Sequence, residues 1–462
     1  MNRSGGSLSV CGFLAVSERV VRKVNLIGRF WTINRFGKGF SWEDVHRALN
    51  TVACMGWSLK RTFSRRVFQN FRNRIGGVAT PRVSIDIDDW LAIPASSDQI
   101  RLRSCSTWQI SSGRSRAGNF AAVDIVAAKI DNPVGRSRYR QYLQGPIDRG
   151  FETFVVALNA GRVAHQNGLV VTSDNQVLAG ASGLSFSSPH PTNPLRLTHL
   201  RRPRHVAGSV AVVACFAGEN YYHWFISSLA RIQLYEEAGV AGDARFYVPV
   251  DKPFQRESLR MLGISADRIL AAREDEHLLA DQLFASSWRD QQISPETCEF
   301  LHRRLTNGLP DERPATARIL IMRNRRGRRS IVNQHELLRA LAPLGFEPVW
   351  LERLPLAEQI ELFHRAECVV GPHGAGLTNL LFCRPGAVAV EINTPLRVLP
   401  CFAEIAQHRG LQHHLELATP VNQRHFDPVE GVGDSDLLVE AAAIRQRVEW
   451  LLANRETRRM AA

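Results

Sequence analysis

Gly371-Pro372-His373-Gly374-Ala375-Gly376-Leu377-Thr378-Asn379 follows directly on the apolar run Cys368-Val369-Val370 and leads into a helical pattern reaching Phe382. The spacing predicts a strand, a tight turn and a helix. Glycines at 371, 374 and 376 let the backbone turn sharply and bring N–H groups, with the positive end of the helix, against a phosphate. His373 could then hydrogen-bond a phosphate oxygen or a sugar hydroxyl. The spacing is not G-x-G-x-x-G, so nothing points to a dinucleotide. Taken as glycines alone, the same residues also suit a plain strand-to-helix turn.

Working outward, this turn sits inside an alternating α/β unit. Arg318 to Met322 is a strand, and a helix starts at Asn333, which resembles a capping box with Glu336; Gly345 closes that helix. Pro348 to Leu351 is a strand, Leu356 to Arg365 a helix, and Ala387 to Ile392 a further strand. A second such unit lies upstream. Val210 to Phe216 is a strand, Tyr222 to Ala238 a helix, Phe246 to Val250 a strand, Gln255 to Leu262 a helix, and Arg268 to Leu270 a short strand. Apolar strands alternating with amphipathic helices mean parallel sheets covered on both faces. The expected class is α/β, with two Rossmann-like lobes and a cleft between them, and such sheets bind ligands at the carboxyl ends of their strands. From Gly76 to about Pro203 the chain reads as strand-rich, with short runs at Phe154 to Leu158 and Gly168 to Thr172, a turn at Ser173 to Asn175, a Ser/Arg-rich loop from Arg101 to Arg116, and a break at Ser187 to Pro194.

Candidate site residues fall at those strand ends. Arg323 follows Met322 and opens the run Arg323 to Arg329; a guanidinium there can hold a diphosphate bidentately, although most of these arginines suit a solvated loop equally. Glu391 closes its strand, where a carboxylate could accept hydrogen bonds from a ribose diol. In the upstream unit, Gly218 to Trp224 holds the equivalent strand-to-helix place, and His223 and Glu219 are alternative general bases. His408, His413 and His414 lack the spacing and carboxylate company of a metal site and read as surface histidines.

The composition narrows the class. With 462 residues and 44% hydrophobic content, the chain has room for two or three domains and a sizeable core. No apolar run approaches the roughly 18 residues that span a bilayer. The eight cysteines include no C-x-x-C pair, which suits free thiols in a reducing compartment. The stretch Leu8 to Val16 lacks the basic start and cleavage site of a signal peptide, so a cytoplasmic location is expected. The formal charge of +14 is uneven: residues 1–76 hold 14 Lys+Arg against three Asp+Glu, or +11, and the rest holds 44 against 41, or +3. Within that extension Trp42, Val45, Leu49, Val52, Leu59, Phe63, Val67, Phe71 and Ile75 recur at helical spacing, with basic residues flanking them. Such a helix suits either an anionic membrane surface or packing on its own protein, and no motif accompanies the charge that would indicate specific nucleic-acid binding. The expected division is a basic, partly amphipathic extension at 1–76, an acceptor-side lobe with its strand-rich lead-in at 77–312, and a donor-side lobe with terminal helices at 313–462.

Asn220-Tyr221-Tyr222-His223-Trp224 followed by Arg231 resembles the first signature of glycosyltransferase family 61. Gly371 through Asn379, with Phe382, Gly386 and Glu391, is similar to its second. Between them, Arg323, Asn333, Glu336-Leu337, Gly345-Phe346, Leu351-Glu352 and Leu362-Phe363 fall in the family's order. The resemblance runs from about Phe154 to Ile392. It implies a GT-B fold and inverting, metal-independent transfer of a sugar from a nucleotide donor, usually uridine-diphosphate-linked. Bacterial relatives mostly serve capsule, exopolysaccharide or lipopolysaccharide assembly. In that frame the donor falls to Arg323, His373, Gly374, Ala375, Gly376, Asn379 and Glu391, and the base to His223 or Glu219, with no metal ligand and no resident cofactor. The expected partners are a nucleotide sugar, a glycan or lipid-linked saccharide acceptor, and an anionic membrane surface met by residues 1–76, at the inner face of the cell membrane. One departure is that the family's usual acidic residue four positions after the signature histidine, and its proline three further on, are Ser227 and Ala230 here. Serine cannot act as a base at neutral pH, so the alternative is a catalytically impaired relative that binds donor or polysaccharide without transfer.

Overall fold

The computed structural model describes residues 69, 73, 77–82, 84–85 and 100–103, and from 153 to 460 all but 183–192, 241, 243, 288–292, 311–313, 325–328, 396–398 and 428–431. Of the expected amphipathic stripe, only its neighbours Gln69 and Asn73 fall within these residues; both are helical, and the Asn73 side-chain amide donates to the His199 carbonyl at 3.0 Å. The rest of the extension, and most of the Ser/Arg-rich stretch, lies outside the described residues. Residues 100–103 form a strand, so the expected loop begins no earlier than 104.

Residues 69–462 form one unit with a mixed α/β architecture and several sheets. The upstream sheet is ten-stranded and mixed, which corrects the expectation of a purely parallel one. Its parallel part runs in the order Ile269–Ala271, Arg245–Val248, Arg204–Val212, His277–Ser286. The strand His277–Ser286 then pairs antiparallel with both Arg162–Ala164 and Val155–Asn159, using its first and last halves respectively. That long strand was not anticipated, and it joins the strand-rich lead-in to the α/β unit. The expected strand Val210 to Phe216 instead spans Arg204–Val212. Beyond it, Val213 and Ala214 leave the ladder because both their N–H groups donate to the single Tyr247 carbonyl, at 2.9 Å each.

The downstream sheet is parallel throughout, in the order Phe346–Val349, Ala317–Ile321, Ala366–Pro372, Val388–Asn393, Gln412–Leu417. In chain order that is 2-1-3-4-5, so the connections switch sides between Ala317–Ile321 and Ala366–Pro372. A crevice forms at the carboxyl ends of two strands where such a switch occurs.

Local chemistry sets the helix ends. Ser294 Oγ accepts from the Thr297 N–H at 3.0 Å with Pro295 in the first turn, starting the helix Pro295–Leu305 that periodicity alone had not revealed. Gly345, at φ 77°, closes the turn after Gln334–Leu341 as expected. Asn333 does not form the expected capping box: its amide donates to Glu336 at 3.0 Å and to the Val439 carbonyl at 2.9 Å, tying the helix start to the C-terminal strands. The expected single helix from Tyr222 to Ala238 is a short α-helix Tyr221–His223, a π-helical segment Trp224–Leu229 and an α-helix Arg231–Glu237. One buried apolar cluster includes Ala211, Phe246, Trp224 and Phe225 from upstream and Ile321, Leu377, Phe382 and Phe402 from downstream. The elements bearing the two sequence motifs therefore share a core.

Candidate functional site

Arg323 and His373 emerge from the two strands flanking the switch, one residue beyond Met322 and Pro372. The His373 carbonyl accepts from Arg323 Nη2 and from Arg329 Nε, each at 3.1 Å, so two half-buried guanidinium groups converge at the start of the glycine turn. Arg329 has φ 59°, a left-handed conformation that costs a non-glycine residue of order 1–3 kcal/mol. The next residue holds it there: the Ser330 N–H donates to Asp436 at 3.1 Å, and its carbonyl accepts from the Leu437 N–H at 2.9 Å.

The glycines serve close approach. A Cβ on Gly374 would lie 1.7 Å from Arg323 Nη2, one on Gly376 2.7 Å from Leu351 Cδ1, and one on Gly371 2.9 Å from Ile321 Cβ. The expected helix after the glycine turn, Ala375–Phe382, is a 3-10 helix, with the Leu377 N–H returning to the Gly374 carbonyl at 2.9 Å.

His373 is buried, and its Nδ1 lies 2.5 Å from Glu391 Oε1, close enough for a charge-assisted hydrogen bond. The other oxygen, Oε2, lies 2.9 Å from His413 Nε2, and Asn393 Nδ2 donates to Oε1 at 3.3 Å. Burial pushes the Glu391 carboxyl up, but the charge and hydrogen bonds of His373 and His413 outweigh it and hold the group down to about 2. Glu391 is only 1% exposed, so it braces His373 and does not present itself to a ribose. His413 is not a surface histidine either: its side chain is 9% exposed, and the parallel register sets it beside Ala389, two residues before Glu391. His408 is likewise tied down, with Nε2 3.0 Å from the Ile293 carbonyl. Among the described residues no three His, Cys, Asp or Glu side chains surround a common point as metal ligands would.

The upstream motif is built onto this turn. Asn220 Oδ1 accepts from the Tyr222 N–H at 2.9 Å and starts the helical turn that carries His223. Glu219 precedes it and is exposed, whereas His223 is half-buried. The Tyr221 hydroxyl donates to Asn379 Oδ1 at 2.7 Å, and Asn379 Nδ2 donates to Gln359 at 3.0 Å and the Gly376 carbonyl at 3.1 Å. Burial pushes the Tyr221 hydroxyl far up, against the lowering effect of Asn379, which keeps it protonated as a donor. Asn379 is thus a bridge between motifs, its amide taken up by protein groups. Three ring contacts reinforce it. Phe225 meets Phe382 with centroids 5.8 Å apart, and Phe402 lies 5.8 Å from Tyr222 and 5.0 Å from His373. Ser227 is 4% exposed inside the π-helical segment, and its Oγ has no hydrogen-bond partner among the described residues.

Residues 221–390 match the sequence model of a family described as Glycosyltransferase 61. The chain is also similar to the EGF domain-specific O-linked N-acetylglucosamine transferase of Gallus gallus, 32% identical over 101 residues, which are 21% of this chain and 19% of that protein. The enzyme of the same name from Drosophila melanogaster is 30% identical over 138 residues, 28% of this chain and 25% of its own length. The chain therefore spans about a fifth to a quarter of the length of these curated relatives. The family 61 segment contains His223, Arg323, His373 and Asn379 but stops before Glu391 and His413. Arg329, Glu391 and His413 complete the arrangement. Arg329 is visible in sequence only as one arginine in a basic run, and His413 only as a surface histidine.

Proposed function

We propose that this protein is a glycosyltransferase that moves a sugar from a nucleoside-diphosphate donor, UDP-linked in the first instance, to a hydroxyl of a glycan or lipid-linked saccharide with inversion. The observation that carries this reading is the part-buried Tyr221–Asn379 hydrogen bond, which ties the turn bearing His223 to the glycine turn beside Arg323 and Arg329. In the proposed step His223 or Glu219 takes the proton from the acceptor hydroxyl as its oxygen attacks the anomeric carbon. The bond from that carbon to the diphosphate breaks, and the nucleotide leaves with the electron pair. Two guanidinium groups and His373 offset the negative charge that builds on the leaving group, as metal-free transfer requires. The two strand-end motifs support a GT-B arrangement, with the acceptor on the upstream sheet and the donor on the downstream one.

The curated relatives are named for transfer of N-acetylglucosamine, which makes that sugar the first donor to try. The test is release of nucleotide from UDP-N-acetylglucosamine, UDP-glucose and UDP-xylose by the purified chain, with and without EDTA and with saccharide acceptors. Acceptor-dependent release insensitive to EDTA is expected; no release from any donor would refute transfer. The buried serine at 227 favours one second reading, an impaired relative that binds without transfer. In that case Ser227→Asp should raise release from near background.

We further propose that the excess charge of residues 1–76 attaches the enzyme to the anionic inner face of a cell membrane, where lipid-linked acceptors for surface polysaccharide reside. Each basic residue near such a surface contributes about 1 kcal/mol, screened by salt. Removing residues 1–68 should abolish sedimentation with phosphatidylglycerol vesicles and leave nucleotide affinity unchanged. Full-length binding that is indifferent to salt would contradict this role.

A further inference from the structure

His413 lies beyond the family 61 segment, on the strand next to that of Glu391, and its Nε2 approaches Glu391 Oε2 at 2.9 Å. A carboxylate held at one oxygen can swing about its side-chain torsions. One held at both, from two different directions, has a fixed plane. Here Oε1 meets His373 Nδ1 at 2.5 Å while Oε2 is anchored from the neighbouring strand. Phe402, in edge contact with the His373 ring at 5.0 Å, restricts that ring from another side. With Nδ1 committed to the carboxylate, the tautomer and direction of the imidazole are set, and Nε2 lies on its opposite edge. All three side chains are buried or nearly so, which makes an unpaired member costly and the set cooperative.

We infer that His413 is a positioning residue for the donor: by anchoring Glu391 it fixes the orientation of the His373 imidazole toward the donor diphosphate. The inference rests on the reading of Arg323 and His373 as the diphosphate site.

Calorimetric titration of the full chain with UDP, and with GDP, ADP and CDP in parallel, tests both together. His373→Gln should weaken the nucleotide that binds best. His413→Leu, which removes the anchor, should weaken it about 10-fold, the lower end of the loss seen when a metal-ligating histidine loses its outer partner. His413→Gln, which keeps an N–H donor toward Glu391, should restore affinity to within about 2-fold of wild type. Equal affinities for His413→Leu and wild type, with His373→Gln weakened, would overturn the role of His413 alone. Unchanged affinity in His373→Gln, or no nucleotide binding by the wild type, would overturn the donor site and the positioning role with it. Should His413→Leu fail to fold, nitrogen-15 spectra of the histidine side chains in wild type decide: Nδ1 of His373 should carry a proton hydrogen-bonded to carboxylate, and an unprotonated Nδ1 would overturn the inference.

Discussion

Gly374 is the position where one added methyl group meets the site most directly. Its Cβ would fall 1.7 Å from Arg323 Nη2, and the obstacle is the end of a flexible side chain, so the guanidinium moves and the backbone stays. Gly374→Ala should therefore mimic Arg323→Ala. Each should lose on the order of 1.5–3 kcal/mol of UDP affinity, the worth of a charged hydrogen bond, with little change in melting temperature. Wild-type affinity in both variants would place the donor elsewhere. For the base, His223→Ala is expected to abolish turnover with UDP binding intact, because only the transition state loses an interaction. Normal turnover would hand the role to Glu219. Arg323 and His373 were legible as strand-end residues because an apolar run in the sequence marks where each strand stops. Asn379 and Glu391 stand in the same motif, and the sequence places both toward a ligand. A sequence shows that a polar residue is present but not that a tyrosine 158 residues away, or a histidine 22 residues away, has claimed it.

At the scale of elements, the turn Tyr221–His223 and the 3-10 helix Ala375–Phe382 are joined by the hydrogen bond from the Tyr221 hydroxyl to Asn379. Tyr221→Phe keeps the ring packed on Phe225 and Phe254 but leaves Asn379 Oδ1 buried without its donor. An unsatisfied buried acceptor costs about 1–3 kcal/mol, so denaturant or thermal melts should show destabilisation of that size. Turnover should fall further than stability explains, since this contact sets the two motifs against each other. A variant as stable as wild type would show that the ring contacts alone suffice. The inner strands of the downstream sheet were legible, because they are largely buried on both faces and read as apolar runs. The strand Gln412–Leu417 was not, since four of the six residues in Gln-His-His-Leu-Glu-Leu are polar and all are partly exposed at the sheet edge. The π-helical segment escaped for a different reason. Its apolar residues satisfy an ordinary helical period, and the wider turn shows in bonds such as the Ala230 N–H reaching back to the Phe225 carbonyl at 3.2 Å.

The whole molecule should lose stability in acid, in two stages. Burial holds His277 down to about 4, partly opposed by its bond to the Arg201 carbonyl. The unfolded chain binds a proton at this residue below about pH 6.5, and the folded chain does not until about pH 4. Its contribution is thus fully present above pH 6.5 and declines toward pH 4, by on the order of 3 kcal/mol. Glu391 adds a second loss. Its carboxylate stays charged in the fold, so its contribution is present above its unfolded value near 4.5 and vanishes as pH falls to about 2. Melting temperature measured from pH 7 to pH 4 should fall, and His277→Gln should flatten the curve; a parallel curve would discount the residue. One further consequence follows from the strand His277–Ser286, which pairs with Arg204–Val212 on one side and with two earlier strands on the other. Just past its end, the Phe154 N–H finds its partner in Ser287, 133 residues later. During synthesis, the strands around residue 155 must leave the ribosome and wait, with their hydrogen-bonding edges open, until residues 277–286 arrive to close them. That interval exposes the nascent chain to aggregation, and chaperone demand in the cell should track it more closely than the stability of the finished protein.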